Sequence, residues 1–287
     1  MTAEGRPADY FANPDFDGLA YSKVLESPEP TRDYIIYFTP RSGSSWVGDL
    51  LLSTGALGNP SEWLNPNFIP EVVRSMSACD VDSYFKALRR KQARGGVFGM
   101  EVTYFQLRQV LSDDANLFDH FSLECSHFYL IRGNIVLQAI SLAKAVETGV
   151  YHAKGAADET ISSSDARFTY DADRIAEWLK HIFSMENQFE AFFDRHDLQP
   201  TRFTYEQVSA TDPQVLVNAI AREIGVGSVR ASDDTGHKKI GTDVNSEFAA
   251  RFRQDYSDLI SRVEDARARR VAKATRQGSL LLGSPDP

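Results

Sequence analysis

The stretch Tyr34-Ile35-Ile36-Tyr37-Phe38-Thr39-Pro40-Arg41-Ser42-Gly43-Ser44-Ser45-Trp46 constrains this chain more than any other. The aromatic and aliphatic run Tyr34–Phe38 predicts a short buried strand. Small residues then make a tight turn. Val47, Leu50, Leu51 and Thr54 follow at i, i+3, i+4 and i+7, and Gly55 stands where a helix over Trp46–Thr54 would end. A strand that enters a helix through small residues forms an anion cradle. The N–H groups of Ser42, Gly43, Ser44 and Ser45 can close round an anion, and the helix aims its unsatisfied N–H groups and positive dipole end at the same spot. Arg41 adds a permanent charge whose fork matches phosphate or sulfate oxygens. On this segment alone, an ordinary turn with a surface arginine stays open.

The cradle is not a Walker A loop. That pattern needs G-x-x-x-x-G-K-[ST], with Lys on the terminal phosphates and Ser/Thr on magnesium. Here no Lys follows Gly43, and the basic residue precedes the glycine.

Further strands are predicted at Val97–Met100, His127–Ile131 and Thr201–Thr204. Helices are predicted at Val81–Ala93, Phe105–Leu111, Asn134–Thr148, Ala172–Arg195, Pro213–Glu223 and Ser246–Arg270. Short strands interleaved with helices predict an α/β fold, a three-layer sandwich whose mostly parallel central sheet is covered on both faces. Ligands bind such sheets beyond the carboxyl ends of the strands, where Arg41 and Arg132 both fall. The organisation expected is a polar arm over 1–33, one domain over 34–262, and a basic helix and tail over 263–287. Lys154–Phe168 reads as a polar loop, the basic run Arg267–Arg276 as a solvated helix face, and Gly278–Pro287 as a frayed end.

A net charge of −9 argues against a nucleic-acid partner and requires that cations for an anionic ligand be concentrated locally. No apolar run is long enough to cross a bilayer, and no signal peptide is visible. Cys79 and Cys125 are too few and too isolated for a disulfide framework or a zinc site. The expected location is therefore a reducing cytoplasm. Homodimers are common at this size.

Pro40-Arg41-Ser42-Gly43-Ser44-Ser45-Trp46 resembles the 5′-phosphosulfate loop of sulfotransferases, whose donor is 3′-phosphoadenosine 5′-phosphosulfate (PAPS). Cytosolic members of that superfamily carry Lys at the position of Arg41. Arginine there, with Thr54-Gly55-Ala56-Leu57-Gly58-Asn59-Pro60-Ser61-Glu62-Trp63-Leu64 downstream, is more similar to the bacterial trehalose 2-sulfotransferase and lipopolysaccharide (nodulation-type) sulfotransferase family. The resemblance implies a P-loop-like sulfotransferase fold and no metal. It implies an acceptor that is a carbohydrate, small molecule or glycolipid with a free hydroxyl. It implies that Arg41, Ser42, Gly43, Ser44 and Ser45 hold the donor's 5′ end. Trp46 either stacks on adenine or anchors its helix in the core.

Arg132, just after a strand, with Ser141 about two turns along the polar face of the next helix, resembles the family's 3′-phosphate motif. His237-Lys238-Lys239-Ile240-Gly241 is similar to a C-terminal basic segment in which Lys238 or Lys239 would add a charge to that phosphate. In the trehalose enzyme type, a Glu just beyond the first helix is the general base, which here is Glu62. Arg41, Ser44 and Ser45 would stabilise the leaving phosphate, and Trp63 would offer a sugar-stacking face. Relatives read G-x-K after the middle strand. Gly99-Met100-Glu101 puts a carboxylate there instead, which bears on acceptor choice. A P-loop kinase or nucleotide-binding protein, and a catalytically idle binding module, are the competing readings.

Overall fold

A computed structural model describes residues 7–151, 158–232 and 242–283. Helices α1 (Pro7–Tyr10) and α2 (Gly18–Leu25) precede β1 (Arg32–Phe38). Then α3 (Ser44–Ser53), α4 (Ile69–Ser75) and α5 (Val81–Gln92) lead to β2 (Val97–Val102). After α6 (Tyr104–Leu111) and a 3-10 turn at Asp114–Asp119 comes β3 (Ser126–Ile131). Helices α7 (Ile135–Thr148), α8 (Asp158–Arg167) and α9 (Ala172–Arg195) lead to β4 (Thr201–Thr204). The described residues end with α10 (Tyr205–Ala210), α11 (Pro213–Ile224), α12 (Asp243–Asp255) and α13 (Ser257–Leu282).

The strands pair in the order β2-β1-β3-β4, all parallel. The expected α/β sandwich is therefore present. The chain goes from β1 to one side, then crosses back to place β3 on the other side of β1. The strand order thus reverses between β1 and β3, and the loops leaving these two strands flank a crevice.

Alternation along β1 builds both cores. Ile35 and Tyr37 join a cluster with Phe85, Leu107 and Phe193, from α5, α6 and α9. Tyr34, Ile36 and Phe38 join Val47, Leu50, Leu216 and Ile220, from α3 and α11. Each such side chain contributes about 1.5–3 kcal/mol on burial. The ring of Tyr37 lies 5.1 to 5.7 Å from those of Phe189, Phe192 and Phe193, so the first core is largely aromatic.

Four segments differ from the sequence expectations. The expected loop at 154–168 contains α8, because Ser164 donates to Thr148 (3.1 Å) and Asp165 pairs with the buried amine of Lys144, both partners lying on α7. The helix expected over Ser246–Arg270 is two helices broken at Tyr256, whose φ of −130° ends α12 and starts α13. The run from Arg267 is a solvated face only in part: Arg269 and Arg276 are exposed, but α13 packs on β4 and Arg267 is buried. The end is not frayed from Gly278 either. The helix runs to Leu282, with Leu281 and Leu282 buried, and Gly283 caps it at φ 67°.

The N-terminal segment also docks. Phe11 is buried with its ring 5.2 Å from that of Tyr84, Asn13 donates to the Ala78 carbonyl (2.9 Å), and Tyr10 accepts from Gln109 (2.8 Å).

Candidate functional site

The turn after β1 adopts a conformation that costs energy. Arg41 has φ 66° and Gly43 has φ 91°, both left-handed. An arginine in that region costs about 1–3 kcal/mol and persists only where surroundings enforce it. Left-handed residues alternating with others turn successive N–H groups to one side, the geometry of an anion nest. Gly43 has a second reason to be glycine: a Cβ there would sit 2.7 Å from the Tyr205 ring.

Helix α7 holds this turn from below. Gln138, fully buried, donates through Nε2 to Thr39 Oγ1 (2.9 Å) and to the Pro40 carbonyl (2.8 Å). One turn further, Ser141 Oγ accepts from Arg41 Nε (3.0 Å). Arg41 Nη1 also donates to the Tyr151 carbonyl. Gln138 and Ser141 lie one turn apart on α7. Their roles differ, with Gln138 bracing the turn and Ser141 meeting the guanidinium.

Arg132 leaves the end of β3 and meets the same turn. Its Nη1 donates to the Arg41 carbonyl (3.3 Å), and its guanidinium lies 4.5 Å above the Tyr205 ring. Burial lowers the pKa of Arg132, with Tyr205 and Glu206 opposing. Burial and the neighbouring charge of Arg132 hold Arg41 down at about 10. Glu206 does not pair with either guanidinium. Its two oxygens accept from the N–H groups of Gly133 (2.9 Å) and Asn134 (3.1 Å). Two half-buried cations thus meet at this turn. Among the described residues, Arg132 Nε and Ser42 Oγ have no hydrogen-bond partner.

Behind the start of α3 lies Glu101, from β2. Its side chain reaches Gly48, where a Cβ would stand 2.8 Å from Glu101 Oε1. Ser44 donates to the carboxyl, but burial, then the charges of Glu62 and Asp49, push it well above the usual carboxylate range. Glu101 Oε1 has no partner among the described residues. The Glu101 N–H donates to the Ser61 carbonyl (2.9 Å), which lays the Glu62 loop along the end of β2. Glu62 is half-buried, and its Oε2 accepts from Gln106 Nε2 (2.6 Å) and Asn65 Nδ2 (3.2 Å).

The structure therefore gathers Arg41, Ser42, Gly43, Ser44, Ser45, Arg132 and Ser141 at one end of the sheet, and Glu62 lies on the loop that Glu101 of β2 holds through the Ser61 carbonyl. Trp46 is half-buried and packs on the second core. Trp63 packs on the first core and donates to the Asn59 carbonyl (3.0 Å). Lys238 and Lys239 lie outside the described residues. Sequence reading missed Tyr205, under the Arg132 guanidinium, and Gln138, under the turn. Tyr205 carries a usable signal, since it starts a helix just beyond a strand end, the position of Arg41 and Arg132. No group of His, Cys, Asp and Glu able to hold a metal occurs among the described residues, and none of their helices is long and apolar enough to cross a membrane.

A search of curated proteins finds no match. The family model described as Stf0 sulphotransferase matches residues 33–255, from the start of β1 to the end of α12. That span holds the cradle, Arg132 and Glu62 on a parallel sheet, and with it the chain belongs to the Stf0 sulphotransferase family.

Proposed function

We propose that this sulfotransferase moves a sulfuryl group from PAPS to a hydroxyl of a carbohydrate or glycolipid acceptor, with Glu62 as general base. The observation that carries the reading is the pair of half-buried guanidiniums, Arg41 and Arg132, at the β1/β3 crevice. Neither has a carboxylate partner among the described residues, and two donor atoms there are unpaired. A ligand with a 5′ and a 3′ anion on one adenosine would offset both charges.

PAPS supplies an activated sulfuryl group on a good leaving phosphate. The transition state is loose by analogy with phosphoryl transfer, so charge placement and orientation dominate. Arg41 and the N–H groups of the turn take up charge on the phosphate oxygen as the S–O bond breaks. Glu62 removes the acceptor hydroxyl proton as the new O–S bond forms. Gln106 and Asn65 fix its Oε2 and leave Oε1 for that proton. Cys79 and Cys125 are free thiols, which supports the cytoplasmic reading.

Calorimetric titration tests the donor. Adenosine 3′,5′-bisphosphate should bind more tightly than ATP with magnesium, and Arg132→Ala should weaken it by about 1.5–3 kcal/mol. The reverse order of affinities would make the chain a kinase-like nucleotide binder.

A further inference from the structure

Helix α13 begins after the span matched by the family model, and one of its residues reaches the back of the cradle. Arg267 is 1% exposed. Its Nη2 donates to the Arg132 carbonyl (2.7 Å) and its Nη1 to the Gly133 carbonyl (3.1 Å). Its Nε and Nη2 also donate to the two oxygens of Glu186 on α9, each at 2.7 Å. Four of the five guanidinium N–H groups are thereby used. Glu186 is fully buried and takes a further bond from Arg270 (2.8 Å).

On the other side of the same loop, Glu206 takes the N–H groups of Gly133 and Asn134. The loop that launches the Arg132 side chain is therefore held through its carbonyls by α13 and through its N–H groups by α10.

From this arrangement we infer that Arg267 is a positioning residue for the donor site, holding the Arg132 loop so that the Arg132 guanidinium is aimed at the ligand's 3′-phosphate. The inference rests on the donor reading above. Packing on β4 alone does not call for an arginine. A buried ion pair adds little net stability over apolar residues of similar volume, and α13 uses Val263 and Ala274 at other buried positions. What only a guanidinium supplies is a planar fork able to grip a carboxylate and two carbonyls at once. A lysine ammonium has three donors and cannot make all four of these bonds.

The experiment titrates the full chain with adenosine 5′-monophosphate and adenosine 3′,5′-bisphosphate, for wild type, Arg267→Lys, Glu186→Gln and Arg132→Ala. The ratio of the two affinities isolates the 3′-phosphate. Wild type should prefer the bisphosphate, and Arg132→Ala should erase the preference. Arg267→Lys should cut it by about tenfold while monophosphate affinity stays the same. Glu186→Gln, which keeps the shape and loosens the anchor, should move the ratio in the same direction and carries the test if the lysine variant does not fold. A folded Arg267→Lys protein with the full preference, or one weakened equally for both ligands, overturns the inference. Absence of any preference in wild type overturns the donor reading first, and this inference with it.

Discussion

Two carboxylates near the cradle live in opposite circumstances. Glu62 is half-buried with two amide donors on one oxygen, while Glu101 is sealed against Gly48 with one oxygen unpaired. Glu62→Gln should lower kcat by about 10²- to 10⁴-fold, the usual scale for a positioned base, with bisphosphate affinity unchanged. A rate within about twofold of wild type would remove Glu62 from the chemistry. For Glu101 the folded protein binds a proton that the unfolded chain releases near 4.5. Its stabilising contribution is complete below that pH and is lost as pH rises toward the higher folded value. Glu101→Gln cannot lose a proton. The melting temperature of the variant minus that of wild type should therefore grow as pH rises above about 4.5. A difference that stays flat across that range would mean the carboxyl is not held neutral. The candidate-site residues easiest to read were Arg41 and Arg132, because each comes within three residues of the end of an apolar run. Arg267 was harder, although Ile260, Val263, Arg267 and Ala274 recur at helical spacing and place it on the buried stripe.

Among the elements, α7 links the two ends of the crevice. Asn134 caps it through the Leu137 N–H (3.0 Å), Gln138 braces the turn after β1, and Ser141 meets Arg41. Gln138→Leu keeps a similar volume but strands the Pro40 carbonyl and the Thr39 hydroxyl. It should cost about 1–3 kcal/mol in stability, read by denaturant unfolding, and should weaken bisphosphate binding as well. Unaltered binding would show that the turn keeps its strained shape without the brace. All four strands were legible, three as short, mostly apolar runs and β4 as the β-prone Thr-Arg-Phe-Thr. Helix α8 was not, since Ser162-Ser163-Ser164 looks like a loop until Thr148 and Lys144 of α7 supply partners. The break at Tyr256 was hidden for a related reason. No Gly or Pro marks it. The bend coincides with a Tyr256 ring stacked 5.2 Å from Phe252 and a hydroxyl bonded to Asp173 on α9.

For the molecule as a whole, strand order does what no local motif can. The order β2-β1-β3-β4 brings residues 41 and 132, far apart in sequence, to neighbouring loops at one point. Each motif could be read alone, but their adjacency depends on a crossover that periodicity does not encode. The chain outside the family span also belongs to the folded body. Phe11 fills a gap beside Tyr84, and the far end of α13 closes the second core with Leu281 and Leu282. Anyone trimming the protein to its most recognisable stretch for expression would thus uncork both ends. A version starting at residue 33 should come off a sizing column partly as aggregate and bind a hydrophobic dye that the intact protein ignores. If it instead elutes cleanly and stays dye-silent, the leading segment is dispensable packaging.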